Sequence, residues 1–220
     1  MFFETRNRLL ALKHECGDRE FTAGTFTKII RKQFSAKDYI FRTEKSYAVD
    51  LNSIISGGLY DSENDIQGEP HTEIILYYHP EQMTFKSTDL DWDFLSFNIA
   101  ECIAHEQIHR DQFHNNTKLF EYNSNIVDES KRIDQNYLGH DEEIEAYGFS
   151  IAAESAVFDR HYSMTNMYFV YRNTFDTDHS VVVKLEKQIV KYLEQLKLEP
   201  YNEQDHSGNQ RSNSGRHVRN

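Results

Sequence analysis

The chain has 220 residues, a net charge of −12 at neutral pH, 38% hydrophobic residues, 13 Tyr and 15 Phe. That length suits one domain with a sizeable core, and the aromatic content argues against global disorder. An acidic surface repels phosphate backbones, which argues against nucleic-acid binding, and no apolar run reaches the length of a membrane span.

In chain order, residues 2–15 predict a first helix with Phe2, Phe3, Leu9, Leu10 and Leu12 on its apolar side. Thr25 as a cap, with Phe26, Ile29, Ile30 and Phe34 at helical spacing, predicts a second over 25–34. Residues 37–47 mix aromatics with charges and read as a strand or a loop. From Tyr47 the period drops to two, through Val49 and Leu51 to Ile54-Ile55, predicting a strand that bends at Gly57-Gly58. Residues 61–71 read as an acidic, solvated hairpin loop; Ile66 stands where an EF-hand loop needs Gly. Residues 72–79 are the clearest strand, ended by Pro80, and are expected to pair with the preceding strand as an antiparallel hairpin.

A helix over about 92–114 follows, then a polar stretch, 115–137, of the kind that often carries a site. Asp141 as N-cap predicts a helix over 141–162, with Glu145, Gly148, Phe149, Ala152 and Ala156 on one face. Its small residues let a neighbouring helix come close. Residues 163–179 are aromatic and irregular. Val182, Leu185, Ile189, Leu193 and Leu196 predict a last amphipathic helix over 180–198. The domain is therefore expected at 1–198, with 199–220 a disordered polar tail. Cys16 and Cys102 form no disulfide framework, and Met1 to Cys16 lacks the apolar core of a signal peptide. The expected compartment is the cytoplasm.

The chain is organised around His105-Glu106-Gln107-Ile108-His109, an H-E-x-x-H string. Leu95, Ile99, Cys102, Ile103 and Ile108 keep helical spacing around it, with no Gly or Pro from Trp92 to Phe113. On a helix, His105 and His109 share a face and can meet one ion, while Glu106 is turned away by about 100°. That suits two metal ligands and a carboxylate that works on water. The plainer alternative is a helix whose histidines are hydrogen-bonded. Cys102, one turn earlier, reads as a small buried thiol. A third ligand is needed. Gln112 and Asn115 stand where the metzincin continuation needs Gly and His, and His114 lies about 180° from His105. The remaining common source is a Glu on a following helix, which Asp141 to Phe149 can supply.

His105, Glu106 and His109, followed by Glu145-Ala146, resemble the gluzincin branch of zincin metallopeptidases over about residues 72–160. The likeness is to the short forms carried by phages and other mobile elements. It implies an α+β fold, a mostly helical zincin-like domain with a small antiparallel sheet. Residues 72–79 would supply the sheet edge that binds an extended peptide by strand addition. The resemblance further implies one Zn2+ per chain, held by His105, His109 and Glu145, with Glu106 as general base for peptide-bond hydrolysis. Among the neighbouring acidic residues, Glu143 is expected to face elsewhere, and Asp141 and Glu142 to serve the helix start. A Tyr or His that stabilises the oxyanion is left open among Tyr137, His140, Tyr147 and His161. Larger gluzincins orient a ligand histidine with an Asp four residues after the Glu. Phe149 is there instead, leaving that task to Asp141 or Glu142. Two rival readings are a catalytically silent zinc-binding scaffold and an acidic inhibitor or DNA mimic whose motif is accidental.

Overall fold

A computed structural model of the chain describes residues 1–118, 137–175 and 179–198. Its elements are α1 (Phe2–Cys16), β1 (Glu20–Phe21), α2 (Ala23–Arg31), β2 (Tyr39–Lys45), β3 (Ile54–Tyr60), α3 (Ser62–Gln67) and β4 (Thr72–Tyr78). They continue with β5 (Phe85–Lys86), α4 (Trp92–Asn115), α5 (Asp141–Val157), α6 (Asn166–Thr174) and α7 (Ser180–Leu198). This is the mostly helical α+β fold expected. Most of the polar stretch and the whole 199–220 tail lie outside the described residues.

The main sheet has the order β2-β4-β3. β3 and β4 form the antiparallel hairpin, from Ile54↔Tyr78 to Tyr60↔Thr72. β2 joins the other side of β4 in parallel, Tyr39 opposite Thr72, so the sheet is mixed rather than antiparallel throughout. The 72–79 strand is therefore central. Both its hydrogen-bonding edges are taken, and it cannot receive a peptide strand. Its sequence carries the reason: Ile74, Ile75 and Leu76 are consecutive and all buried, as in a strand covered on both faces. The alternation at Tyr47, Val49 and Leu51 is not a strand; only Val49 is buried there.

Thr22 rather than Thr25 caps α2, its side chain accepting the Thr25 N–H at 3.2 Å. His140 is the N-cap of α5, which places Asp141 in the first turn, where it pairs with Lys184 at 2.7 Å. α4 begins where Asp91 accepts the Phe94 N–H at 3.0 Å, and its residues are buried on several sides. α4 lies against β3, with the Ser56 N–H donating to the Asn98 side chain. α1 packs on it from another side, through the Phe2 and Phe97 rings and the Arg6–Asp93 pair. α5 lies against α4 and, on another face, against α7. A Cβ on Gly148 would come within 2.5 Å of Gln188 Cβ, so α5 and α7 meet closely there.

Residues 61–71 are more ordered than their composition implies. Asp61 caps α3, accepting the Asn64 N–H at 3.0 Å, and Gly68 ends it at φ 72°. Asp65 then anchors α3 to α4. It accepts two Arg110 N–H groups at 2.9 and 3.1 Å, the Tyr60 hydroxyl at 2.8 Å and His114 Nε2 at 2.8 Å. Burial alone would raise its pKa, but the hydrogen bonds from Arg110, Tyr60 and His114 outweigh burial and hold it well below the usual carboxylate range. A carboxyl depressed in this way stabilises the fold fully above its unfolded pKa of about 3.9, and that contribution is lost as pH falls through the folded value. Asp65→Asn should cost about 2–3 kcal/mol at pH 7. It should also flatten the fall in stability below about pH 4. Urea midpoints measured from pH 7 to pH 2 check both; parallel wild-type and variant curves would show that Asp65 is not the anchor.

Candidate metal centre

α4 turns His105 and His109 to one face, as their spacing requires. His105 Nε2 and His109 Nε2 stand 3.2 Å apart. The carboxylate that meets them is Glu143, from the first turn of α5. One oxygen lies 3.7 Å from His105 Nε2 and the other 3.6 Å from His109 Nε2. Ligand atoms of these three buried residues all lie within 4.8 Å of one another, and the group could hold a metal ion.

The far side of each imidazole is engaged. Gln112 Oε1 lies 2.9 Å from His109 Nδ1, and the Gln112 amide nitrogen donates to the Glu142 carbonyl and to Glu145 Oε2, both at 3.1 Å. With that amide fixed, its oxygen accepts from His109 Nδ1–H, and the lone pair falls on Nε2. His105 Nδ1 lies 3.2 Å from Ser150 Oγ, whose hydroxyl donates to the Ala146 carbonyl. Ser150 therefore accepts from Nδ1–H, and His105 also presents its Nε2 lone pair inward. Glu143 Oε2 is buried without a hydrogen-bond partner among the described residues. Electron-pair donors thus converge, and either a proton on His105, whose pKa Glu143 raises, or a metal cation resolves that conflict. Two imidazole nitrogens and a carboxylate oxygen are a donor set that suits zinc, so the residues fit the group.

The electrostatics agree. Burial disfavours charge on His105, but Glu143, Glu106 and Glu101 outweigh it and raise its pKa. His109 is lowered, by burial and by His105 beside it. Burial would raise Glu143, yet its neighbours His105, His109 and Tyr137 hold it down. The surroundings favour one positive charge among these atoms. Glu106 stays outside the group. It is buried beside Gly58 and faces the Tyr60 backbone N–H, and burial pushes its carboxyl up to about 7.

Glu145, the ligand implied by the resemblance, is turned elsewhere. It accepts from Lys191 at 2.8 Å and Tyr192 at 3.3 Å on α7, as well as from Gln112. Positions 143 and 145 lie about 200° apart around a helix, so only one can face α4. The small-residue face carrying Gly148 packs on α7, and Glu145, three residues earlier, goes with it. Glu143, Tyr147 and Ser150 form the stripe that faces α4. That polar i, i+4, i+7 run was the signal available in the sequence, alongside the competing Asp141, Glu142 and Glu145.

Of the open candidates, Tyr137 hydrogen-bonds Glu143, and the Tyr147 ring lies 4.7 Å from that of His105. His161 is beyond the far end of α5, paired with Ser163, and His140 supplies the N-cap backbone of α5. The task left to Asp141 or Glu142 falls to Ser150 for His105 and to Gln112 for His109; Glu142 contributes its backbone carbonyl. Cys102 is packed against Gly58 outside the three-residue group, its thiol pushed up by burial.

Among the described residues no helix is long and apolar enough to cross a membrane. Comparisons with family models, with curated proteins and with solved structures return no match.

Proposed function

We propose that the chain is a zinc-dependent metallopeptidase of the cytoplasm, with His105, His109 and Glu143 as the metal ligands and Glu106 as general base. The observation that carries this reading is the convergence of two Nε2 atoms and an unpartnered carboxylate oxygen, with a second, non-ligand carboxyl, Glu106, beside His105. When bound, zinc would supply the Lewis acidity that activates water and polarises a scissile carbonyl. Glu106, a buried carboxyl whose basicity burial raises, would accept the water proton and return it to the leaving amine. Tyr137 and Tyr147 are the hydroxyls on hand to steady a developing oxyanion. The substrate proposed is a peptide or protein.

A catalytically silent metal scaffold is the second reading, favoured by the packing of Glu106 against β3. Glu106→Gln separates the two. The variant should keep its zinc and lose about 10²–10⁴-fold in turnover of an unfolded-protein or peptide-library substrate. Zinc content and mass-spectrometric digests are measured on the same samples. Zinc-loaded wild-type protein that leaves the whole library intact would favour the silent scaffold.

A further inference from the structure

Gln112 stands where a metzincin continuation would need Gly, and its contact with His109 Nδ1 raises the question of what fixes the amide itself. We infer that Gln112 is a positioning residue that fixes the tautomer of His109, and that Glu145, with Lys191 and Tyr192 of α7, holds Gln112 in its working orientation. The inference rests on the metal-centre reading but not on peptide hydrolysis.

An amide can present either its oxygen or its NH2 to an imidazole nitrogen, and the two choices have opposite consequences. With oxygen toward His109, Nδ1 carries the proton and Nε2 is free to bind a cation. With NH2 toward His109, Nδ1 must accept, the proton moves to Nε2, and the ring cannot ligate. The choice is made by what lies on the other side of the amide. Both groups there, the Glu142 carbonyl and Glu145 Oε2, only accept, each 3.1 Å from the Gln112 nitrogen. The NH2 is therefore drawn to them, and the oxygen is left for His109 Nδ1 at 2.9 Å. Glu145 is steadied in turn through its other oxygen, which receives Lys191 at 2.8 Å and Tyr192 at 3.3 Å. A hydrogen-bonded chain thus runs from the last described helix to a metal-facing imidazole.

The test measures tautomer and metal affinity separately. Nitrogen-15 NMR of histidine in the metal-free protein should show His109 protonated at Nδ1 in the wild type. In Gln112→Met, of similar length without the amide, the Nε2–H form should gain population. Zinc affinity in competition with a chromophoric chelator should fall about 10–100-fold, the range for losing an outer partner of a ligand histidine. Glu145→Ala, which leaves the Glu142 carbonyl to hold the amide, should lose less than about 10-fold. The double variant Gln112→Glu with Glu145→Gln keeps an oxygen on His109 Nδ1 and a donor from position 145 but loses the bond to the Glu142 carbonyl, and should recover affinity above that of Gln112→Met, to within about 10-fold of wild type. If Gln112→Met folds and keeps both the Nδ1–H form and wild-type affinity, the inference fails. Should that variant not fold, the double variant decides: recovery of affinity upholds the inference, and an Nε2–H ring with lost affinity overturns it. Wild-type protein that binds no zinc would overturn the metal-centre reading, while the tautomer of the metal-free ring still decides the role of Gln112.

Discussion

Replacing Glu143 with alanine should lower zinc affinity by more than about 100-fold, beyond the roughly 10–100-fold that loss of an outer partner brings. The reason is geometric. Glu143 brings one carboxylate oxygen toward each imidazole, at 3.7 and 3.6 Å, and one of those oxygens has no other partner among the described residues. Removing it leaves two nitrogens and no anion at a buried cation, a poor trade in a low-dielectric setting. Glu145→Ala should be far milder, because that carboxylate meets Lys191, Tyr192 and Gln112 rather than either Nε2. The two variants compared by chelator competition give a ratio that is the measurement of interest. A ratio in the opposite sense, or a zinc-bound crystal structure with Glu145 on the metal, would restore the assignment that the gluzincin resemblance implies.

Gly58→Val should both destabilise the protein and cut turnover, while leaving zinc affinity within a few-fold of wild type. Valine favours strands over glycine, so on a free strand this change would help by up to about 1 kcal/mol. Here a Cβ would lie 2.6 Å from Glu106 Cγ, 2.7 Å from Glu106 Oε1 and 2.8 Å from Cys102 Sγ. Those atoms sit on α4, which is buried and held on β3 by Asn98, so they have little room to yield. Overpacking of this kind costs about 1–3 kcal/mol. What must shift first is Glu106, the proposed base, whereas His105 and His109 are held through Ser150 and Gln112 from the α5 side. Gly57→Val is the control. The three atoms nearest its Cβ all belong to Tyr77, the closest at 3.1 Å, and that ring end can swing. Denaturant midpoints, zinc affinity and peptide turnover of the two variants test the pair. Equal midpoints for both would show that β3 does not seat Glu106 tightly.

The features legible in the sequence were those set by local periodicity. Four-residue spacing on an uninterrupted helix puts His105 and His109 on one face whatever the rest of the fold does. The same locality made the β3–β4 pair and α7 visible, since two neighbouring β-rich runs and an apolar stripe both declare themselves in the local pattern, although the link between the strands holds α3. Asp65 was legible only as an acidic loop residue. Its partners Arg110 and His114 lie 45 and 49 positions on, and nothing local announces them.

Tertiary packing alone decided the rest. β2 pairs in parallel with β4 across a separation of more than thirty residues, which makes β4 central and removes it as a peptide-binding edge. The third ligand turned on which face of α5 meets α4. Both candidate faces carry a glutamate, and the small residues that seemed to invite α4 are used against α7 instead. A helix sequence fixes the angle between Glu143 and Glu145, about 200°, but not the rotation of the whole helix about its axis. That rotation is set by the close approach at Gly148 and Gln188, by Lys191 drawing Glu145 outward, and by Ser150 meeting His105. These contacts span dozens of residues and exist only once both helix pairs have packed.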